Sequence, residues 1–202
     1  MKEYSVARTS GAPVWEDIDV AEINIPYLET GDDIKAFGQL AFDDERLYVH
    51  LYAIESDILA DKTGPLGCPC EDSCLEFFFC PDENDTRYFN IEFNTNKCVY
   101  LGIGSNVENL VRLIPEKDVL DILCPEVEYT EGGWEITYTV PYDFIRQFFP
   151  AFTTPAGKAL RANFYKCADL TNPPHYLSWN EIVGEPFTFH KQHCFGQIKF
   201  SK

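Results

Sequence analysis

Arg46-Leu47-Tyr48-Val49-His50-Leu51-Tyr52-Ala53 alternates without a break: Leu47, Val49, Leu51 and Ala53 point one way, Tyr48, His50 and Tyr52 the other. A period of two marks a strand with one face on a core, and the interleaved side chains predict a second face that meets water or a ligand. Outward from this stretch, similar segments recur at about 20–26, 35–42, 74–80, 87–94, 97–103, 134–140, 160–167, 175–180 and 195–200. Turn-rich pieces separate them, such as Asp43-Asp44-Glu45, Pro81-Asp82-Glu83-Asn84-Asp85 and Glu131-Gly132-Gly133. Many short strands at hairpin spacing predict an all-β fold, an antiparallel β-sandwich of the immunoglobulin or jelly-roll kind. Helix is expected only over 142–149, between Pro141 and Pro150.

The 202 residues carry no linker, repeat or low-complexity tract and are read as one domain, 1–202. A chain of this length buries roughly 70% of its unfolded surface, enough core to need no disulfide or metal staple. No run of ~18 apolar residues is present, so no membrane helix is expected. With 33 acidic against 16 basic residues the net charge is −17, which repels nucleic acid and anionic membranes. The segment Met1-Lys2-Glu3-Tyr4-Ser5-Val6-Ala7-Arg8 lacks the parts of a secretory signal, so the expectation is a cytoplasmic protein whose eight cysteines are mostly buried thiols.

Three strands place polar residues opposite an apolar face. Over 74–80, Leu75, Phe77 and Phe79 take the core and Cys74, Glu76, Phe78 and Cys80 the other side. Over 87–94, Phe89, Ile91 and Phe93 go inward and leave Tyr88, Asn90, Glu92 and Asn94. Over 160–167, Leu160, Ala162 and Phe164 oppose Arg161, Asn163, Tyr165 and Cys167. If these strands share a sheet, Glu76, Asn90, Glu92, Arg161, Asn163 and Tyr165 converge. Carboxylates, amides and a guanidinium beside aromatic rings suit a sugar, whose hydroxyls both donate and accept and whose C–H face packs on a ring. The competing reading is a solvated face laced with weak ion pairs.

The ordered set Asp72-Ser73-Cys74-Leu75-Glu76-Phe77-Phe78-Phe79-Cys80-Pro81, Tyr88-Phe89-Asn90-Ile91-Glu92-Phe93-Asn94, Arg161-Ala162-Asn163-Phe164-Tyr165, Leu177-Ser178-Trp179 and Phe195-Gly196 resembles carbohydrate-binding modules of family nine, from about Trp15 to Phe200. The resemblance implies a β-sandwich, no catalysis, and a sugar held where two tryptophan rings sandwich a glycan end. The family's strand carboxylate maps to Glu76, and a family arginine on the next strand maps to Asn90. One clamp position falls in Cys68-Pro69-Cys70-Glu71, which has no aromatic residue, and the second falls on Phe189. Trp179 matches a family tryptophan that serves either as core or as platform, and Tyr176 and His190 are expected at the rim. Trp15 and Trp134 read as packing residues. Loss of one wall predicts weak binding.

Other chemistries compete. Glu76 and Glu92 could be the two carboxylates of a glycoside-acting enzyme, or the domain could be an interaction module that has lost its sugar. Cys68 and Cys70, with Cys74 or a histidine, could hold zinc, whereas Cys80 lies about 20 Å along the strand from Cys74. Asp82-Glu83-Asn84-Asp85 offers oxygen ligands for calcium but lacks the EF-hand glycine, so a hairpin tip is expected. Two of His50, His175, His190 and His193 could ligate haem, and Gly102-Ile103-Gly104 is too short for a phosphate cradle. No cofactor is expected.

Overall fold

The computed structural model describes residues 1–28, 33–115 and 117–202. One arm of the structure contains β2 (Ala21–Ile23), β4 (Lys35–Phe42), β5 (Arg46–Ile54), β10 (Glu126–Thr130) and β11 (Gly133–Pro141). The other contains β3 (Ile25–Pro26), β6 (Cys74–Cys80), β7 (Tyr88–Asn94), β8 (Val99–Gly104), β9 (Val111–Arg112), β12 (Ala159–Ala168), β13 (His175–Ser178) and β14 (Gly196–Phe200). β1 (Glu3–Arg8) joins them: Glu3 to Val6 pair with β14, while Ala7 and Arg8 pair with β4. The strand order is therefore β10-β11-β5-β4-β1-β14-β12-β6-β7-β8-β9, with β2 on β4 and β13 and β3 beside β12.

The all-β expectation stands, but the purely antiparallel sandwich gives way to one mixed, curled sheet. Both pairings of β1 are parallel, and the one with β14 links the first strand to the last, a partnership with no local pattern to announce it. β10 is an edge strand whose side chains are largely exposed, so its alternation is faint.

The two arms close on a shared core. Leu47, Val49, Leu51 and Ala53 of β5 meet Phe77, Phe79, Phe89, Ile91, Phe93 and Phe164 from the other arm. The arms approach closely: a Cβ on Gly38 would stand 2.8 Å from the Phe164 ring. The other face of β5 is not wet throughout. His50 is buried under Trp15, with Nδ1 2.9 Å from Gln39 Oε1.

Helix is confined to α1 (Val119–Leu123), α2 (Tyr142–Arg146) and four short 3-10 turns among the described residues. α2 covers the first part of the expected 142–149 segment. Its Phe144, with Phe148 and Phe149 beyond it, packs on Phe89.

Candidate functional site

Three antiparallel strands, β12, β6 and β7, bring the predicted polar residues into rows on the face turned away from the core. Tyr165, Glu76 and Glu92 are mutual register partners, and Tyr100 of β8 extends that row. The next row holds Asn163, Phe78, Asn90 and Gly102, and on the other side lies Cys167, Cys74 and Asn94. Alternation along each strand sends these side chains one way because Leu75, Phe77, Phe89, Ile91, Phe93 and Phe164 claim the core.

The face is largely covered. Glu76 is 2% and Glu92 6% exposed, and Asn90, Asn163 and Tyr165 are fully buried. Two segments form the roof: the 3-10 turn Pro69–Glu71, and the loop between β13 and β14 that carries Ile182, Phe187, Phe189 and His190. Phe189 stacks on Tyr165 with centroids 4.1 Å apart and planes 10° off parallel, while the Tyr165 hydroxyl donates to the Phe189 carbonyl at 3.0 Å. The Tyr88 hydroxyl lies 2.7 Å from His190 Nδ1. Phe78, Cys80, Tyr88, Tyr165 and Phe195 make a small apolar cluster beneath this loop.

Beside that cluster, four buried polar atoms have no hydrogen-bond partner: Glu76 Oε2, Glu92 Oε2, Asn90 Oδ1 and Asn90 Nδ2. Each such group costs about 1–3 kcal/mol. Burial, then the adjacent Glu92 carboxylate, push Glu76 well above the usual carboxylate range. Burial pushes Glu92 up to about 7; the nearby Asn90 amide offsets part of the rise without reaching hydrogen-bond geometry. The site thus favours a protonated Glu76 and leaves Glu92 near half-protonation at neutral pH. Burial alone lowers His190 to about 4, which leaves a neutral imidazole.

The remaining predicted residues divide. Asn163 is committed to the fold: its amide donates to the Asn180 carbonyl at 3.0 Å and accepts from the Phe164 and Asn180 N–H groups. Arg161 stands beyond it toward Cys80, bonded to Gln192 and, at 3.2 Å, to the Asp85 carbonyl. It lies about 13 Å along β12 from Tyr165. Trp179 is no platform in this arrangement. It is 3% exposed, in edge contact with Tyr4 and Phe164, and a Cβ on Gly196 would stand 2.4 Å from its ring. Tyr176 is half-buried at the rim, edge-on to Phe187 and Phe189.

Two further features escaped the sequence. Tyr27 stacks on Phe187 at 3.4 Å, and with Pro26, Tyr176, Ile182 and Phe189 they line a groove of about 100 Å³ next to the covered face. Tyr100 and Arg112 close the opposite side, the guanidinium 4.6 Å above the ring and bonded to the Val99 carbonyl at 2.8 Å. Tyr100 could have been found from the alternation at 97–103. The Tyr27–Phe187 stack could not, since its halves are distant in sequence.

Elsewhere, Asp72 and Ser73 act as scaffold. Asp72 Oδ2 accepts from the Lys62 N–H and the Asn94 amide, both at 2.7 Å, and Ser73 donates to Glu55 at 3.0 Å. In the Asp82 to Asp85 turn the Asp85 carboxylate pairs with Arg87 at 2.6 Å. All eight cysteines are free, with Cys68 and Cys124 exposed.

Comparison with solved structures places this architecture among known ones. A protein of Bacteroides uniformis ATCC 8492, provisionally described as carbohydrate-binding, superposes with a TM-score of 0.81 at 24% identity over 99% of both chains. A family 9 carbohydrate-binding module from Caldicellulosiruptor kristjanssonii in complex with glucose gives 0.70 at 12% identity, over 99% of this chain and 96% of that one. Its complex with cellotriose gives 0.71 at 13% identity, over 99% and 94%. No curated protein sequence matches significantly. Residues 24–200 match the sequence profile of carbohydrate-binding family 9, and the chain belongs to that family.

Proposed function

We infer that this carbohydrate-binding domain holds a neutral sugar, a monosaccharide or the end of a glycan, on the outer face of β6 and β7, and that it does so without catalysis. The observation that carries the reading is the group of unpartnered buried atoms on Glu76, Asn90 and Glu92. A sugar hydroxyl both donates and accepts, so a few hydroxyls satisfy carboxyl and amide together. Phe189, Phe187, Tyr176 and Tyr27 supply ring faces and edges at the rim, and Phe189 offers the face not stacked on Tyr165. Entry requires the loop bearing Phe189 and His190 to move aside. The two arms of the curled sheet then serve as the layers of a sandwich, with the site on the outside of one layer.

The arrangement of the carboxyls favours binding over glycoside hydrolysis. Glu76 and Glu92 are direct cross-strand neighbours and rise side by side from one floor, whereas a hydrolase flanks the scissile bond with its acid and its nucleophile or base. Glucose and short β-glucans, the ligands in the Caldicellulosiruptor complexes, are the first compounds to try. Titration calorimetry is expected to give millimolar to high-micromolar dissociation constants, roughly −4 to −6 kcal/mol, with no new reducing ends after long incubation. Absence of binding across a panel of mono- and disaccharides would instead support an interaction module that has lost its sugar. Sugar turnover lost in Glu76→Gln would make the domain an enzyme.

A further inference from the structure

We propose that Cys74, Cys167 and Glu76 form a binding site for one thiophilic divalent cation of the zinc kind. Cys74 of β6 and Cys167 of β12 are direct register partners, and Glu76 follows two residues along the same face. Their sulfurs and a carboxylate oxygen all lie within 4.8 Å of one another. Zinc bonds of about 2.0–2.3 Å in tetrahedral geometry separate ligand atoms by roughly 3.5–4 Å, so shifts of about 1 Å close the set, with the Cys167–Glu76 pair opening from 2.8 Å. β6 and β12 are each paired on both edges, which fixes the two thiols and the carboxylate in place before any ion arrives.

Two independent details point to a cation. Glu76 is 2% exposed and its Oε2 has no partner, so the carboxylate has capacity that the protein leaves unused. The Cys167 thiol donates to Oε1 at 2.8 Å, which places a transferable proton between two ligand atoms. A metal there forms bonds to both sulfurs and to Glu76, and the two thiol protons together with the proton that the buried Glu76 carboxyl carries leave to solvent. Two thiolates neutralise the dication, and the Glu76 carboxylate adds one negative charge. Cys70 borders the fourth position, its carbonyl 3.7 Å from Cys167 Sγ. The sequence allowed zinc only at Cys68 and Cys70 with Cys74 or a histidine; Cys68 is exposed, and Cys167, the partner of Cys74, comes from a strand distant in sequence. The inference does not depend on sugar binding, and its test uses metal alone.

Cobalt(II) is titrated into the reduced full chain under a phosphine reductant, with no sugar present. Because the site is buried, the titration is paired with zinc analysis of protein from zinc-supplemented cells. The expected result is one metal per chain, thiolate-to-cobalt charge-transfer absorption, displacement by zinc, and release of about two to three protons per ion. Cys74→Ser and Cys167→Ser should each abolish the charge-transfer band, while Cys80→Ser and Cys124→Ser retain it, with near-ultraviolet circular dichroism establishing that each variant is folded. Absence of bound metal in the wild type, or a band that survives in both Cys74→Ser and Cys167→Ser, would overturn the proposal.

Discussion

Two buried acidic groups in this domain have opposite surroundings. Glu55 accepts from Trp134 Nε1 at 2.7 Å, from Ser73 at 3.0 Å and from Lys166 at 3.1 Å. Lys166, fully buried, also donates to the neutral His175 Nε2 at 2.9 Å and to the Cys167 carbonyl at 3.1 Å. Burial and then Lys166 lower His175 to about 4, so it stays an acceptor. Glu76 and Glu92, one strand over, keep an oxygen each without a partner beside an Asn90 amide that bonds to nothing. Where the protein satisfies a buried polar group completely, that group holds the fold together. Where it leaves several unsatisfied side by side, they mark a place shaped for something else.

That contrast can be broken most forcefully at the first cluster. Lys166→Met should lower the unfolding free energy by about 3–5 kcal/mol, because it leaves Glu55 buried without its cation, and urea denaturation measures the loss. Sugar affinity of the folded fraction should not change.

A pH series sharpens the comparison next. Glu92, raised to about 7, keeps a proton in the folded state that the unfolded chain has lost above its ordinary value of 4.5. Its contribution to stability therefore declines as pH rises from about 4.5 to about 7. Glu92→Gln has no such proton, so its unfolding free energy should gain on the wild type across that window by an amount on the order of 3 kcal/mol. His175 and His190, both lowered to about 4, act in the opposite sense as pH falls below 6.5, but they cancel in the difference. Denaturation curves at matched pH values provide the check, and a constant gap would mean that Glu92 is ionised in the fold.

At neutral pH Glu76→Gln should reduce sugar affinity up to about tenfold by calorimetry, in line with about 1.5 kcal/mol, the upper end for a hydrogen bond of an uncharged carboxyl, while leaving the fold intact. The smallest effect belongs to the rim. Phe189→Ala should weaken binding by about 1 kcal/mol, the scale of one aromatic contact, and unchanged affinity would move the ligand away from that ring.

Much of this was legible in the sequence, for reasons that also explain the omissions. Alternation in Arg46 to Ala53, 74–80 and 87–94 located strands and sorted their faces, because a strand with one buried side must repeat every two residues. It therefore also showed that Glu76, Asn90, Glu92 and Tyr165 could share a face. It did not show that β1 closes the sheet in parallel, since Tyr4 and Val6 are two apolar positions in a short strand and their partners lie at the other end of the chain. Nor could it show which polar residues are satisfied. Asn163 and Asn90 look alike in sequence, yet one grips the backbone at Asn180 and the other grips nothing. Trp179 read as core ahead of platform, and the space that Gly196 leaves for its ring places it in the core.

The most direct test is a crystal structure of the wild-type chain soaked with glucose or cellobiose. The account predicts sugar hydroxyls within hydrogen-bond distance of Glu76, Asn90 and Glu92, with the Phe189 loop displaced from its present cover. A sugar seated only in the Tyr27–Phe187 groove, with those three side chains still unpartnered, would contradict it.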